Sequence, residues 1–147
     1  MRTLWIVAAD SSACRIFAAD TGELRELEVL SHPEARLREQ ELVSDLPGRT
    51  FDSAGPGRHA KEAEVSPKKH EAIQFAGRIV QRLEAARAGH EFERLAIVAA
   101  PELLGLLRDK LTPGLRALVV HEADKNITRL DPKDIRSRIP EELFGRR

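Results

Sequence analysis

Six consecutive apolar residues, Leu4 to Ala9 (LWIVAA), stop at Asp10-Ser11-Ser12. A short unbroken apolar run closed by turn formers predicts a buried strand. A second run, Ala13 to Ala19 (ACRIFAA), ends at Asp20-Thr21-Gly22. From Leu24 to Leu30 the chain alternates imperfectly, with Leu24, Glu26, Glu28 and Leu30 against Arg25, Leu27 and Val29. That pattern suits a third strand near a sheet edge, and turn signals every eight to ten residues make the three strands an antiparallel meander.

Further on the period changes. Ala72, Phe75, Ala76, Ile79, Val80, Leu83 and Ala86 recur three and four apart, which predicts a helix from about Pro67 to Ala88 with one apolar face about six turns long. Ser66 suits its N-cap, Pro67 its first position, and Gly89 its stop. Leu95 to Ala99 (LAIVA) reads as a buried strand. Pro101 to Leu111 reads as a shorter helix with Leu104, Leu107 and Leu111 inward, broken by Thr112-Pro113-Gly114. Leu115 to His121 (LRALVVH) reads as the last strand, and Asp131-Pro132 starts a final helix through Ile135 and Ile139.

The predicted order is β-β-β-α-β-α-β-α. This is the α/β class, a mixed five-stranded sheet with helices packed on it, in the order found in ribonuclease H-like folds. A length of 147 residues suits one domain spanning residues 1–147. The segment from Ser44 to Pro67, SDLPGRTFDSAGPGRHAKEAEVSP, fits no element of that order. A loop of this length inside a compact domain is usually functional or disordered, so it is the first candidate for activity.

Composition narrows the class. The chain is 41% hydrophobic and 33% charged, with 24 Lys and Arg against 24 Asp and Glu, so no global basic field advertises nucleic-acid binding and any such contact is local. A single cysteine, Cys14, excludes an internal disulfide and suits a reducing compartment. The first apolar run is too short for a membrane span or a signal segment, which points to a cytoplasmic protein.

From Ser44 to Lys69, the long segment and the start of the helix after it, Gly48, Gly55 and Gly57 alternate with Pro47 and Pro56, and Arg49, Arg58, Lys61, Lys68 and Lys69 outnumber Asp45, Asp52, Glu62 and Glu64. Glycine permits close backbone approach, and amides with neighbouring cations suit phosphate. The bland alternative is a solvated loop whose charges keep it soluble. His59 is the candidate for acid–base work there, against the commoner role of a surface histidine. The five histidines show no zinc spacing, so the reading includes no metal and no cofactor. Asp10, Glu122 and Asp124 sit at predicted strand ends and would converge if the first and last strands were neighbours. Such acids hold metal ions in some nucleases, and they are also common turn residues. Cys14 and Trp5 read as core.

LWIVAADSSACRIF, LVSDLPGRTFDSAGPGRHAKE and HEADKNITRLDPKDI together resemble the bacterial host attachment proteins, "protein required for attachment to host cells". The resemblance covers essentially the whole chain, with VSDLPGR, FDS, GRHA and ADKNIT as its specific parts. That family is similar in turn to the middle domain of archaeo-eukaryotic peptide-chain release factors. Their fold is ribonuclease H-like, and a Gly-Gly-Gln loop between the third strand and the long helix enters the peptidyl-transferase centre. Asp52 to Lys61 occupies that place here. The glutamine does not, since Gln40, Gln74 and Gln81 all lie outside the loop, which argues against glutamine-dependent hydrolysis of peptidyl-tRNA.

Two expectations follow. One is an RNA- or ribosome-associated factor, with ribosome or tRNA as partner, in which Gly55 and Gly57 allow close approach, Arg49, Arg58 and Lys61 contact phosphate, and His59 orients or activates water. The other is a non-enzymatic interaction protein with a role in bacterial attachment to host cells.

Overall fold

The computed structural model describes residues 3–19, 22–32 and 66–144. Strands β1 (Leu4–Ala9), β2 (Ala13–Ala19) and β3 (Leu24–Ser31) precede helix α1 (Pro67–Ala88). Then come β4 (Arg94–Ala99), α2 (Pro101–Lys110), a short α3 (Pro113–Arg116), β5 (Val119–Ala123), α4 (Pro132–Ser137) and a 3-10 turn at Glu141–Phe144. The strands form one mixed sheet in the order β3-β2-β1-β4-β5. β2 runs antiparallel to both its neighbours, while β1, β4 and β5 pair in parallel.

β1 is the centre. All six of its residues are buried, because both faces of the sheet are covered and both edges of the strand are paired. Trp5, Val7 and Ala9 face a larger core formed with α1 and α2, and Leu4, Ile6 and Ala8 face a smaller one formed with Ile127, Ile135 and Ile139. Cys14 and Trp5 belong to the larger core, as their sequence context indicates.

α1 buries Phe75, Ala76, Ile79, Val80, Leu83 and Ala86, the expected stripe except for its first member, Ala72, which is half-buried. Each large apolar side chain of that stripe contributes roughly 1.5–3 kcal/mol through burial. Ser66 caps the helix by accepting from the Lys69 amide at 3.1 Å. At the other end Gly89 has φ −88°, and the left-handed residue is instead His90, at φ 58°. The amides of His90 and Glu91 donate to the carbonyls of Arg87 and Ala86 and close the helix.

Two bulges explain the irregular edge strands. The β2–β3 register shifts so that Ile16 faces Glu28 and Phe17 faces Glu26, leaving Leu27 as the extra residue. Leu24 therefore packs on the smaller core while Leu27 and Leu30 pack on the larger one, which breaks strict alternation. On the other edge Leu95 pairs with Val119 and Ala96 with His121, so Val120 is extruded and 43% exposed.

One expected element is displaced. The last strand occupies Val119–Ala123 rather than Leu115 to His121, because Thr112 caps a helical turn at Pro113–Arg116 by accepting from the Leu115 amide. Leu115 is fully buried, but as a helical residue. α4 ends at Ser137, so Ile139 reaches the smaller core from beyond the helix.

Candidate functional site

At the carboxyl ends of β1 and β4 the chain departs in opposite directions, from β1 to β2 on one side and from β4 to α2 on the other. This is the switch point where open α/β sheets form ligand crevices. A cleft of about 260 Å³ lies there. Asp10, Ser11 and Ser12 line it from β1, Ala100, Glu102 and Leu103 from the start of α2, Ala72 from α1, and Asn126 and Arg129 from the loop after β5.

Asp10 organises the cleft. Its Oδ1 accepts from the Ser12 amide at 2.9 Å, the Ala13 amide at 3.0 Å and the Ser12 hydroxyl at 3.1 Å, an Asx-type turn that tightens the β1–β2 hairpin. Its Oδ2 accepts from the Thr128 hydroxyl at 2.7 Å. Partial burial pushes the Asp10 carboxyl upward, but the hydrogen bonds from Thr128, the two amides and Ser12 outweigh it, so the group sits below the ordinary carboxylate range. A carboxylate that is both saturated with donors and weakly basic is a brace, not a general base.

Thr128 also lies 2.9 Å from the side-chain oxygen assigned to Asn126. One hydroxyl proton serves one strong acceptor, and the charged Asp10 takes it. Asn126 Oδ1 faces Thr128 as an acceptor, taking the Thr128 backbone amide at 3.4 Å. Arg15 fixes the same loop from β2, donating to the carbonyls of Thr128 at 2.8 Å and Leu130 at 2.6 Å while its other nitrogens hold Glu26.

The expected convergence of Asp10 with Glu122 and Asp124 does not occur. β1 and β5 are separated by β4, Glu122 is engaged by Arg108 at 2.7 Å, and among the described residues no group of three or more His, Cys, Asp or Glu side chains is placed to hold a metal ion. Cys14 is fully buried, and burial, with Glu28 and Asp10 adding to it, pushes its thiol far above the ordinary range. It is not a nucleophile.

Arg49, Gly55, Gly57, Arg58, His59 and Lys61 lie outside the described residues. The residues that flank them are described. His32 donates its amide to the Ser12 carbonyl at 2.9 Å and stacks on Phe75 at 5.0 Å, and Arg78 donates to the Ser31 carbonyl at 3.0 Å. Ser66, where α1 begins, lies two turns before Ala72 of the cleft wall. The first turn of α1 contains no acid, and Lys68, Lys69 and His70 are all exposed. Cations there oppose the helix dipole.

The pairing of Asp10 with Thr128 and Asn126 escapes a reading of strand-end acids alone. Its signal is the pair of short Asx- and Thr-bearing turns, Asp10-Ser11-Ser12 and Asn126-Ile127-Thr128, that the sheet brings to one edge.

Residues 5–139 match a family model described as "Protein required for attachment to host cells". No curated protein matches the chain.

Proposed function

The chain belongs to the family of proteins required for attachment to host cells, and we propose that it acts as a cytoplasmic RNA- or ribosome-associated factor. In this reading the fold is a ribonuclease H-like scaffold related to the release factor middle domain. Residues 52–61 are its binding element. Gly55 and Gly57 let the backbone approach RNA closely, and Arg49, Arg58 and Lys61 neutralise phosphates. His59 is the group in that stretch suited to orienting water.

The observation that carries the reading is positional. The Gly/Pro/basic stretch separates β3 from α1, and β3 ends against the switch-point cleft through His32 and Ser12. The lysines of the first turn of α1 support it, because they set a basic surface against a helix N-terminus where acids would stabilise the fold. Binding, rather than glutamine-dependent hydrolysis, is the activity proposed.

The test is filter binding of the full chain to tRNA and to ribosomes across a salt series. Each phosphate contact steepens the dependence of log K on log salt by roughly 0.7 for single strands. The variant carrying Arg58→Ala and Lys61→Ala should lose affinity and flatten that slope by about 1.4. Unchanged association, or capture of envelope proteins in place of RNA from the native cell, would overturn the reading.

A further inference from the structure

Among the described residues the two faces of the sheet are unequally covered. On one, α1 with 22 residues and α2 with 10 close the larger core. On the other, the cover is the six-residue α4, the 3-10 turn and the loop after β5. Between this thin layer and strands β4 and β5 lies a cavity of about 480 Å³, which shares the loop after β5 with the cleft at Asp10: Lys125 and Ile127 line the cavity, Asn126 and Arg129 the cleft. Its size falls in the range of small-molecule sites.

The walls of this cavity divide by chemistry. Val98, Ala123, Ile127 and Ile139 supply apolar surface continuous with the smaller core. Lys125 and Arg138 stand exposed at the rim, and among the described residues neither joins an ion pair and no acid lines the cavity. His121 completes the wall, and its Nε2 is shut off from solvent without a hydrogen-bond partner. An unsatisfied buried ring nitrogen is costly, and the ring's terminal torsion is broad enough to turn a nitrogen to an acceptor arriving in the cavity.

We infer that this cavity is a binding site for a small organic carboxylate with an apolar body. The body lies on Val98, Ala123 and Ile139. The carboxylate lies at the rim, accepting from Lys125, Arg138 and an imidazole nitrogen of His121. An apolar floor gives affinity, and converging donors without a competing acid give the preference for an anion.

The full chain is titrated with naphthalene-2-carboxylate, followed by the probe's own fluorescence and by the ring nitrogen resonances of His121. Naphthalene-2-carboxamide, of the same shape without the charge, is the control. Saturable carboxylate binding at least tenfold tighter than the amide, with a shift of the His121 ring resonances, is expected. Ala123→Leu, which fills the floor, should abolish binding. The exposed pair Lys125→Glu with Arg138→Glu, which leaves the core intact, should weaken it at least tenfold while circular dichroism stays native. Equal binding of the two probes, no saturation by the carboxylate, or a charge-reversed variant that binds as the parent does would each overturn the site.

Discussion

The hydroxyl of Thr128 donates to the carboxylate of Asp10 at 2.7 Å across 118 positions of sequence, joining the first turn of the chain to the loop after the last strand. Thr128 is buried while Asp10 retains some solvent access, so this bond is a charge-assisted one in a partly dry setting.

Thr128→Val removes the donor and keeps the shape. A hydrogen bond to a charged group contributes about 1.5–3 kcal/mol, and solvent access at Asp10 places the loss toward 1–2 kcal/mol. Urea unfolding at neutral pH measures it, and a cost below about 0.3 kcal/mol would remove the brace from the account.

The same contact sets a pH dependence. The Asp10 carboxyl is depressed in the folded chain, so its contribution is complete above the unfolded value near 3.9 and is lost as pH falls through the folded value. The stability difference between the parent and Asp10→Asn should therefore stay constant from pH 7 to about pH 5 and shrink below about pH 4. A difference that widens on acidification would contradict a depressed carboxyl.

Cys14 is fully buried and its thiol is held far from ionisation. A thiol reagent at pH 8 should leave the native protein unmodified, with labelling that tracks global unfolding in denaturant. Cys14→Ser, which buries a hydroxyl in an apolar core, should cost about 1–3 kcal/mol.

His90 occupies a left-handed conformation that glycine adopts freely, just past the end of α1. His90→Gly should raise stability by about 0.5–1 kcal/mol, the relief of strain exceeding the added freedom of the unfolded chain. Gly89 lacks a positive φ, so Gly89→Ala tests the assignment from the other side and should not carry the penalty of a left-handed position.

Lys68 and Lys69 separate stability from binding. Lys68→Glu and Lys69→Glu each place an anion in the acid-free first turn of α1 and should stabilise the fold by about 0.5 kcal/mol. The proposed RNA affinity should fall in the same variants. Thermal melts and the salt series read the two effects on the same samples.

β1, β2 and β4 were legible as short apolar runs closed by turn formers, α1 and α2 by apolar positions three and four apart, and β3 by an imperfect alternation between turn signals. The smaller features were not. Leu115 to His121 is apolar enough for either a strand or a buried helical turn, and the Thr112 cap, a local hydrogen bond, decides the matter for its first residues. The imperfect alternation of β3 is a bulge at Leu27, which sequence shows only as noise. At the cleft, Asp10 was legible as a turn residue at a strand end. Its partner was sought in Glu122, whereas the interposed β4 and the Arg108–Glu122 pair leave the role to Thr128.

The place of β1 at the middle of the sheet imposes an order of events during synthesis. Leu4 pairs on one side with Ala19 and on the other with Arg94. The hairpin partner emerges almost at once, but the parallel partner emerges some ninety residues later. During translation the most apolar strand of the chain therefore has one satisfied edge and one bare edge, a template for mispairing. Closure waits for α1 and β4, so the sheet completes late and through distant contacts, the kind that fold slowly. The cell's exposure to this protein's aggregation is greatest in the interval before Ala99 leaves the synthetic machinery.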